Sequence, residues 1–194
     1  MVSSCAGFEE EIAMRVRLIS GMYGGRNIDA PDTNRTHPMS ERIRNALFNS
    51  IGSLVEDAAV LDAFAGSGAV GLEALSRGAS SAVFLEKDRI AQKVIAANIK
   101  LLGCEDRAIL ASSPVASWSE GHQDKLFDLI FVDPPYHDVQ LSTVARLFSH
   151  LKPGGTMILS HPGKGEALSG TKGIVVVDNR SYGNACLTFF RRES

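Results

Sequence analysis

The sequence predicts an α/β fold: a doubly wound, mostly parallel sheet of seven strands with a C-terminal antiparallel hairpin, preceded by a small β-hairpin and helix. Three observations predict it. Short apolar runs rich in β-branched residues alternate with segments of helical apolar spacing. A glycine-rich turn follows the first of these runs. The last two runs are joined by a stretch too short for a helical crossover. At 194 residues the chain suits one domain with a full core, and no internal repeat or low-complexity tract interrupts the alternation.

Residues 1–13 carry Glu9, Glu10 and Glu11 and no Lys or Arg, so they lack the basic start and apolar middle of a secretory signal. They read as an extra, flexible segment on a cytoplasmic protein. Residues 14–194 read as the single domain, with an N-terminal hairpin and helix over 14–52 and the sheet core over 53–194. Within the first part, 15–20 and 26–29 flank a glycine-containing turn at 21–25, which predicts a short hairpin. Pro38 and then Ser40 open a helix running to about Ile51. Ile43, Leu47 and Ile51 form its buried stripe, and Arg42, Asn45 and Asn49 turn outward.

Sheet strands are expected at 59–63, 82–86, 108–111, 127–132, 156–160, 174–178 and 186–190. The clearest helix spans 89–102, with Ile90, Val94, Ile95, Asn98, Ile99 and Leu102 near one face, Asp88 as its cap and Gly103 as its stop. The link Arg180-Ser181-Tyr182-Gly183-Asn184 makes the last two strands an antiparallel hairpin.

Composition excludes several classes. No run approaches the roughly 20 apolar residues of a membrane span. Three cysteines, Cys5, Cys104 and Cys186, are odd in number and scattered, which suits neither a disulfide framework nor a zinc site. The five histidines show no ligand spacing, so no metal is expected. Cys104 and Trp118 read as packing residues. Net charge is −2, yet residues 14–49 hold six arginines against Asp29, Asp32 and Glu41, a local balance of +3. Arg15, Arg26, Arg35, Arg42 and Arg44 are therefore candidate phosphate contacts. A small excess of this kind also fits a solvated face.

Residues 62–71 read DAFAGSGAVG, in which Gly66, Gly68 and Gly71 satisfy G-x-G-x-x-G at a strand-to-helix turn. Glycine there lets a cofactor approach the backbone at a helix N-terminus. Glu86 ends the next strand, where a carboxylate can accept from both ribose hydroxyls. A nicotinamide enzyme would share these features. Asp62 tips the balance toward S-adenosylmethionine, because a carboxylate before the turn suits a positively charged amino-acid moiety and gives nothing to a pyrophosphate.

The run FDLIFVDPPY, residues 127–136, sets Asp133, Pro134, Pro135 and Tyr136 just past a buried strand. A nucleobase amine is a poor nucleophile because its lone pair is delocalised into the ring. Acceptors that hold its hydrogens out of plane restore that lone pair. The Asp133 side chain and the Pro134 carbonyl can be those acceptors, while the prolines limit reorganisation and Tyr136 can stack on the base. The motif does not separate adenine from guanine or cytosine, nor DNA from RNA.

Beyond these motifs, the chain resembles the bacterial RsmD-type 16S rRNA guanine-N2 methyltransferases from Met14 onward. The residues that carry the resemblance are RLISGMYGGRNIDAP (17–31), RIRNALFN (42–49), LDAFAGSGAVGLEALSRGA (61–79), FVDPPY (131–136) and YGNACLTFFRR (182–192). It implies a Rossmann-like class I methyltransferase fold and a monomer. It also implies methylation of a guanine N2, of the guanine-966 type, in 16S rRNA of the 30S subunit or an assembly intermediate. On this reading the cofactor is held by Asp62, Ala65, Gly66, Ser67, Gly68, Glu86, Lys87, Ser113 and Asp133. Two places depart from the family pattern. His37-Pro38-Met39-Ser40-Glu41 replaces its usual Arg-Pro-Thr-Thr-Asp, and Ser112-Ser113 stand where many relatives place an acid for the adenine amine. An adenine-N6 methyltransferase and a non-catalytic RNA-binding assembly factor stand as the alternatives.

Overall fold

The computed structural model describes residues 12–31, 39–163 and 168–194. The N-terminal hairpin pairs β1 (Ile12–Arg17) with β2 (Asn27–Pro31), and α1 (Glu41–Ile51) follows. The core then alternates β3 (Ala59–Asp62), α2 (Ala69–Ser76), β4 (Ser81–Leu85), α3 (Arg89–Leu102), β5 (Ala108–Ala111), α4 (Val115–Gly121) and β6 (Phe127–Val132). It closes with α5 (Leu141–Arg146), β7 (Leu151–Pro162), β8 (Ile174–Tyr182) and β9 (Ala185–Arg192). Of the expected segment 1–13, residues 1–11 lie outside the described residues, as do Arg35, His37 and Pro38.

Seven strands form one sheet in the order β5-β4-β3-β6-β7-β9-β8. The pairs from β5 to β7 are parallel, and β9 is antiparallel to both of its neighbours. This is the Rossmann-like doubly wound arrangement read from the sequence. The chain moves outward from β3 through β4 to β5 and then crosses back to β6, so a topological switch lies between the carboxyl ends of β3 and β6. One face of the sheet packs on α2, α3 and the N-terminal hairpin, and the other on α4 and α5.

Local chemistry explains the boundaries. Asp88 caps α3 by accepting from the amides of Ile90 and Ala91, and Gly103 ends it in the left-handed conformation at φ 66°. Ser40 caps α1 by accepting from Ile43. The turn between β8 and β9 is only Gly183-Asn184, because Tyr182 already pairs with Ala185. Gly183 sits at φ 65°, as the first central residue of a type II′ hairpin requires. β7 and β8 run longer than expected, since their outer residues pair even where the apolar alternation fades.

The N-terminal extension docks through one buried carboxylate. Glu73, on α2 and fully buried, accepts from the amides of Ile19 (2.7 Å) and Ser20 (3.1 Å) and from Arg77 Nε (2.7 Å). Arg44 Nε lies 4.0 Å away. Arg44 itself is buried, and its terminal nitrogens donate to the carbonyls of Met39 and Arg17. Burial lowers its pKa, with Glu73 and Glu41 opposing. Arg44 thus pins α1 to β1 and α2, and the expectation that it contacts RNA is corrected: its side chain does not reach solvent.

Removing Glu73 strands Arg44 as an uncompensated buried charge. Glu73→Ala is expected to lower the unfolding free energy in urea by about 3–5 kcal/mol. The double substitution Arg44→Met with Glu73→Leu loses less, because neither charge is then buried alone.

Candidate active site

Two adjoining cavities open at the switch point between β3 and β6. The larger, about 530 Å³, is lined by Asp62, Ala65, Gly66 and Ser67 on one side and by Asp133, Pro134 and Tyr136 on another. Met39, Ser40 and Ile43 of the N-terminal extension and Asn184 of the β8–β9 turn complete its wall. The smaller, about 370 Å³, is lined by Glu86, Lys87, Asp88, Ser113 and Pro114. Phe64, Gly66, Asp133, Pro135 and His137 border both, so the two form one bent cleft.

The glycine turn is shaped by its neighbours. Gly66 and Gly68 have φ of 55° and 78°, which favour glycine, and nothing lies within 4 Å of where a Gly66 Cβ would stand. The backbone there is bare toward the cleft. Gly71 serves packing instead, since a Cβ would come within 2.3 Å of the Phe84 ring on β4. Asn98, buried on α3, donates to the Ser67 carbonyl and pairs with both backbone groups of Asp29. The turn, α3 and β2 are therefore one hydrogen-bonded unit.

Three carboxylates converge on the cleft. Asp62 is 2% exposed and accepts from the Gly71 amide at 2.9 Å. Burial pushes its carboxyl up to about 7, the Gly71 bond opposes this, and the charges of Asp133 and Glu86 add to the rise. Burial also pushes Asp133 up to about 6, with the polar Ser160 hydroxyl opposing. Glu86 differs from its expected role in one respect. It accepts from the amides of Gly66 and Asp88, both at 2.8 Å, so it braces the turn as well as facing the cavity. Each oxygen keeps a second lone pair for a ribose hydroxyl.

Tyr136 is 37% exposed, and its hydroxyl lies 2.8 Å from Ser160 Oγ on β7. Its ring stands at the cavity mouth while its far end is fixed. Burial raises the phenol pKa.

Most of the expected site residues meet here: Asp62, Ala65, Gly66, Ser67, Glu86, Lys87, Ser113, Asp133, Pro134 and Tyr136 all line the cleft. Gly68 lines neither cavity and works through the turn. None of the described arginines lines it either. Arg15 is exposed and 3.8 Å from Asp29, and Arg42 is exposed one residue from Ile43. Arg26 donates to the carbonyl of Leu101 at the far end of α3, whose other end abuts the cleft. At 1.5 Å per residue this places it about 20 Å from the chemistry. Sequence reading missed Ser160, Asn98 and Asn184, because only strand register and hairpin closure bring them near the motifs. It also missed Met39, noted only as a departure from the family pattern, and Ile43, whose apolar spacing signalled core rather than cavity wall.

A family model described as "Conserved hypothetical protein 95" matches residues 16–191. The chain is 35% identical over 122 residues to ribosomal RNA small subunit methyltransferase D of Escherichia coli K12, covering 63% of this chain and 61% of that protein. It is 28% identical over 182 residues to the Bacillus subtilis protein YlbH, covering 91% of this chain and 99% of that one. The solved structure of yhhF from Escherichia coli aligns with a TM-score of 0.83 at 28% identity, covering 93% of this chain and 99% of that one.

The buried carboxyls couple stability to pH. An unfolded Asp titrates near about 4, whereas Asp62 and Asp133 hold protons up to about 7 and about 6 in the fold. In that window the folded state binds more protons, so the stability of the ligand-free protein falls as pH rises from about 4 to about 7. Asp62→Asn, which keeps an acceptor for Gly71, should flatten much of this slope in denaturation midpoints measured across the range.

Proposed function

From the premise that the chain belongs to the RsmD-type family, we propose that it transfers a methyl group from S-adenosylmethionine to the N2 amine of a guanine in small-subunit rRNA. The observation that carries this reading is the meeting of Asp133, Pro134 and Tyr136 with the Asp62 turn in one cleft at the switch point. The donor fits the residues present. Bare backbone at Gly66 and a buried carboxylate at Asp62 suit a ligand that brings its own positive charge. Asp62, Ala65, Gly66 and Ser67 would hold its amino-acid end, and Glu86, Lys87 and Ser113 its nucleoside end. The sulfonium supplies an activated methyl group when bound.

The chain's own residues prepare the acceptor. Asp133 and the Pro134 carbonyl accept the two N–H bonds of the amine, which turns its lone pair out of conjugation and toward the methyl carbon. Held this way by Asp133 and Pro134, the amine would receive the methyl group that the bound donor supplies, the new C–N bond replacing a C–S bond whose electrons stay with sulfur. The surplus proton on nitrogen then leaves toward solvent or the Asp133 carboxylate. Tyr136, its ring open at the mouth, stacks the extruded base. Arg42 on the exposed face of α1, with Arg15 and Arg35 of the same extension, would meet phosphates of 16S rRNA in the 30S subunit or an assembly intermediate. The protein acts as a monomer on this reading, in the cytoplasm.

Asp133 works ionised, because a protonated carboxyl is a weaker acceptor for its share of the amine hydrogens and cannot take up the surplus proton. With its carboxyl near about 6, turnover should fall as pH drops below about 6, on a limb that Asp133→Asn abolishes along with most activity. Transfer of labelled methyl groups to 30S particles, naked rRNA and DNA tests the substrate. Label is expected at guanine N2 of the ribosomal RNA, and Asp133→Ala should lose at least about 100-fold in kcat. Label found in DNA alone, or at adenine N6, would refute the assignment.

A further inference from the structure

The Asp133 to Tyr136 motif holds an exocyclic amine without choosing among bases, so the choice of guanine has to be made on another wall of the larger cavity. Sheet order identifies the wall that faces the base. The residues that would hold the donor follow β3, β4 and β5, all on one side of β6. On the other side lie β7 and then β9. Val132 of β6 pairs with Leu159 of β7, and Pro162 at the end of β7 pairs with Ala185, the first residue of β9. The β8–β9 turn therefore stands at the same carboxyl edge of the sheet as Asp133, on the side away from the donor. Its second residue, Asn184, is exposed and lines the larger cavity together with Pro134 and Tyr136. Other polar groups of that cavity are already engaged. Ser40 Oγ accepts from the Ile43 amide, and the Tyr136 hydroxyl is bonded to Ser160. His137 also borders the smaller cavity on the donor side, and its two ring nitrogens point apart. The Asn184 carboxamide makes no hydrogen bond among the described residues, so it keeps a donor and an acceptor side by side.

We propose that Asn184 is a specificity-determining residue for the base: its carboxamide pairs with the lactam edge of guanine, Nδ2–H donating to O6 and Oδ1 accepting from N1–H. The assignment deepens the guanine-N2 reading above and rests on it. Guanine presents its N2 amine, N1–H and O6 in a row along one edge. With N2 held by Asp133 and the Pro134 carbonyl, the next two groups are a donor and an acceptor on neighbouring atoms. A carboxamide carries the complementary pair at the same spacing, so two hydrogen bonds close one ring. Adenine held by its N6 amine offers N1, which only accepts, and then C2–H, which does neither. Cytosine held by its N4 amine offers N3 and then O2, both acceptors. Each leaves half of the carboxamide unpaired beneath the base, and a polar group covered without a partner is costly. Gly183 at φ 65° makes the tight turn that carries Asn184 to the cavity, so backbone geometry places the residue there. Guanine would thus be chosen from the far end of the sheet, while the motif on β6 supplies the chemistry common to all three amines.

The test pairs a change in the protein with a change in the base. 2-Aminopurine keeps the N2 amine and lacks both N1–H and O6. Reconstituted 30S particles carrying either guanine or 2-aminopurine at the methylated position serve as substrates, with labelled S-adenosylmethionine as donor. The parent chain is expected to prefer guanine by about 30-fold in kcat/KM. Asn184→Ala should lose about 30-fold on guanine and nothing on 2-aminopurine, so that the preference collapses. Asn184→Asp keeps an acceptor for N1–H but sets a carboxylate against O6, and it should fall at least as far on guanine. Equal losses on both bases, which a merely structural part in the turn would give, overturn the inference. So does an Asn184→Ala variant that retains the parent's preference. If Asn184→Ala does not fold, Asn184→Asp, nearly identical in shape, decides the matter by the same comparison. A parent chain that methylates the guanine amine beside variants of unaltered preference refutes the inference and leaves the functional reading standing. A parent chain that methylates no guanine amine refutes the functional reading and the inference with it.

Discussion

Much of this structure depends on the carboxylate of Glu73. It lies fully buried in the middle of α2, where it receives two backbone amides from the loop leaving β1, one guanidinium from the C-cap of its own helix and the field of a second from α1. Isolated, any of these charges would be costly in the interior. Together they make the N-terminal extension part of the domain. The cleft needs that attachment, because Met39, Ser40 and Ile43 supply one of its walls. Arg44, through the Met39 carbonyl, joins the ion pair directly to the cavity rim. An electrostatic knot remote from the chemistry thereby shapes the space into which a base would enter.

The cleft has the opposite character. Asp62, Glu86 and Asp133 leave it rich in negative charge, and among the described residues Lys87 is its only lining Lys or Arg. Two of the carboxyls are too deeply buried to ionise easily, so the site relieves its own repulsion by keeping protons. A cationic ligand would take over that task. Burial therefore acts here as a selector for positive charge, and the glycine turn decides only how close the ligand may come.

The parts of the fold that were legible in the sequence are those written locally. Period-2 and period-3.6 runs located all seven sheet strands and α3, and Asp88 and Gly103 fixed the ends of that helix. The glycine turn and the Asp133 to Tyr136 motif were legible for the same reason, since each is contiguous. What was hidden is non-local. Arg44 was counted among the phosphate contacts because a local charge balance says nothing about Glu73, 29 positions further on and buried against it. Ser160 looked like an ordinary strand residue because its meaning comes from the β6–β7 register. Asn98 sat on an apolar helix face whose neighbour, the Asp29 backbone, lies 69 residues earlier. The sequence of each shows its chemistry without its partner.

The strand order has a consequence for how the chain reaches this state. β9 follows β8 in the chain but lies between β7 and β8 in the sheet. Until β9 has been synthesised, β7 presents an open edge, with Met157, Ile158 and Leu159 at its centre. β8, carrying Val175, Val176 and Val177, is the first strand available to pair there and the wrong one. The two-residue turn at Gly183 favours early closure of β8 on β9, so that the hairpin can enter as a unit with β9 leading. The same turn that borders the cleft thus governs the last registration of the sheet, and a defect at Gly183 would surface first as aggregation of newly made chains.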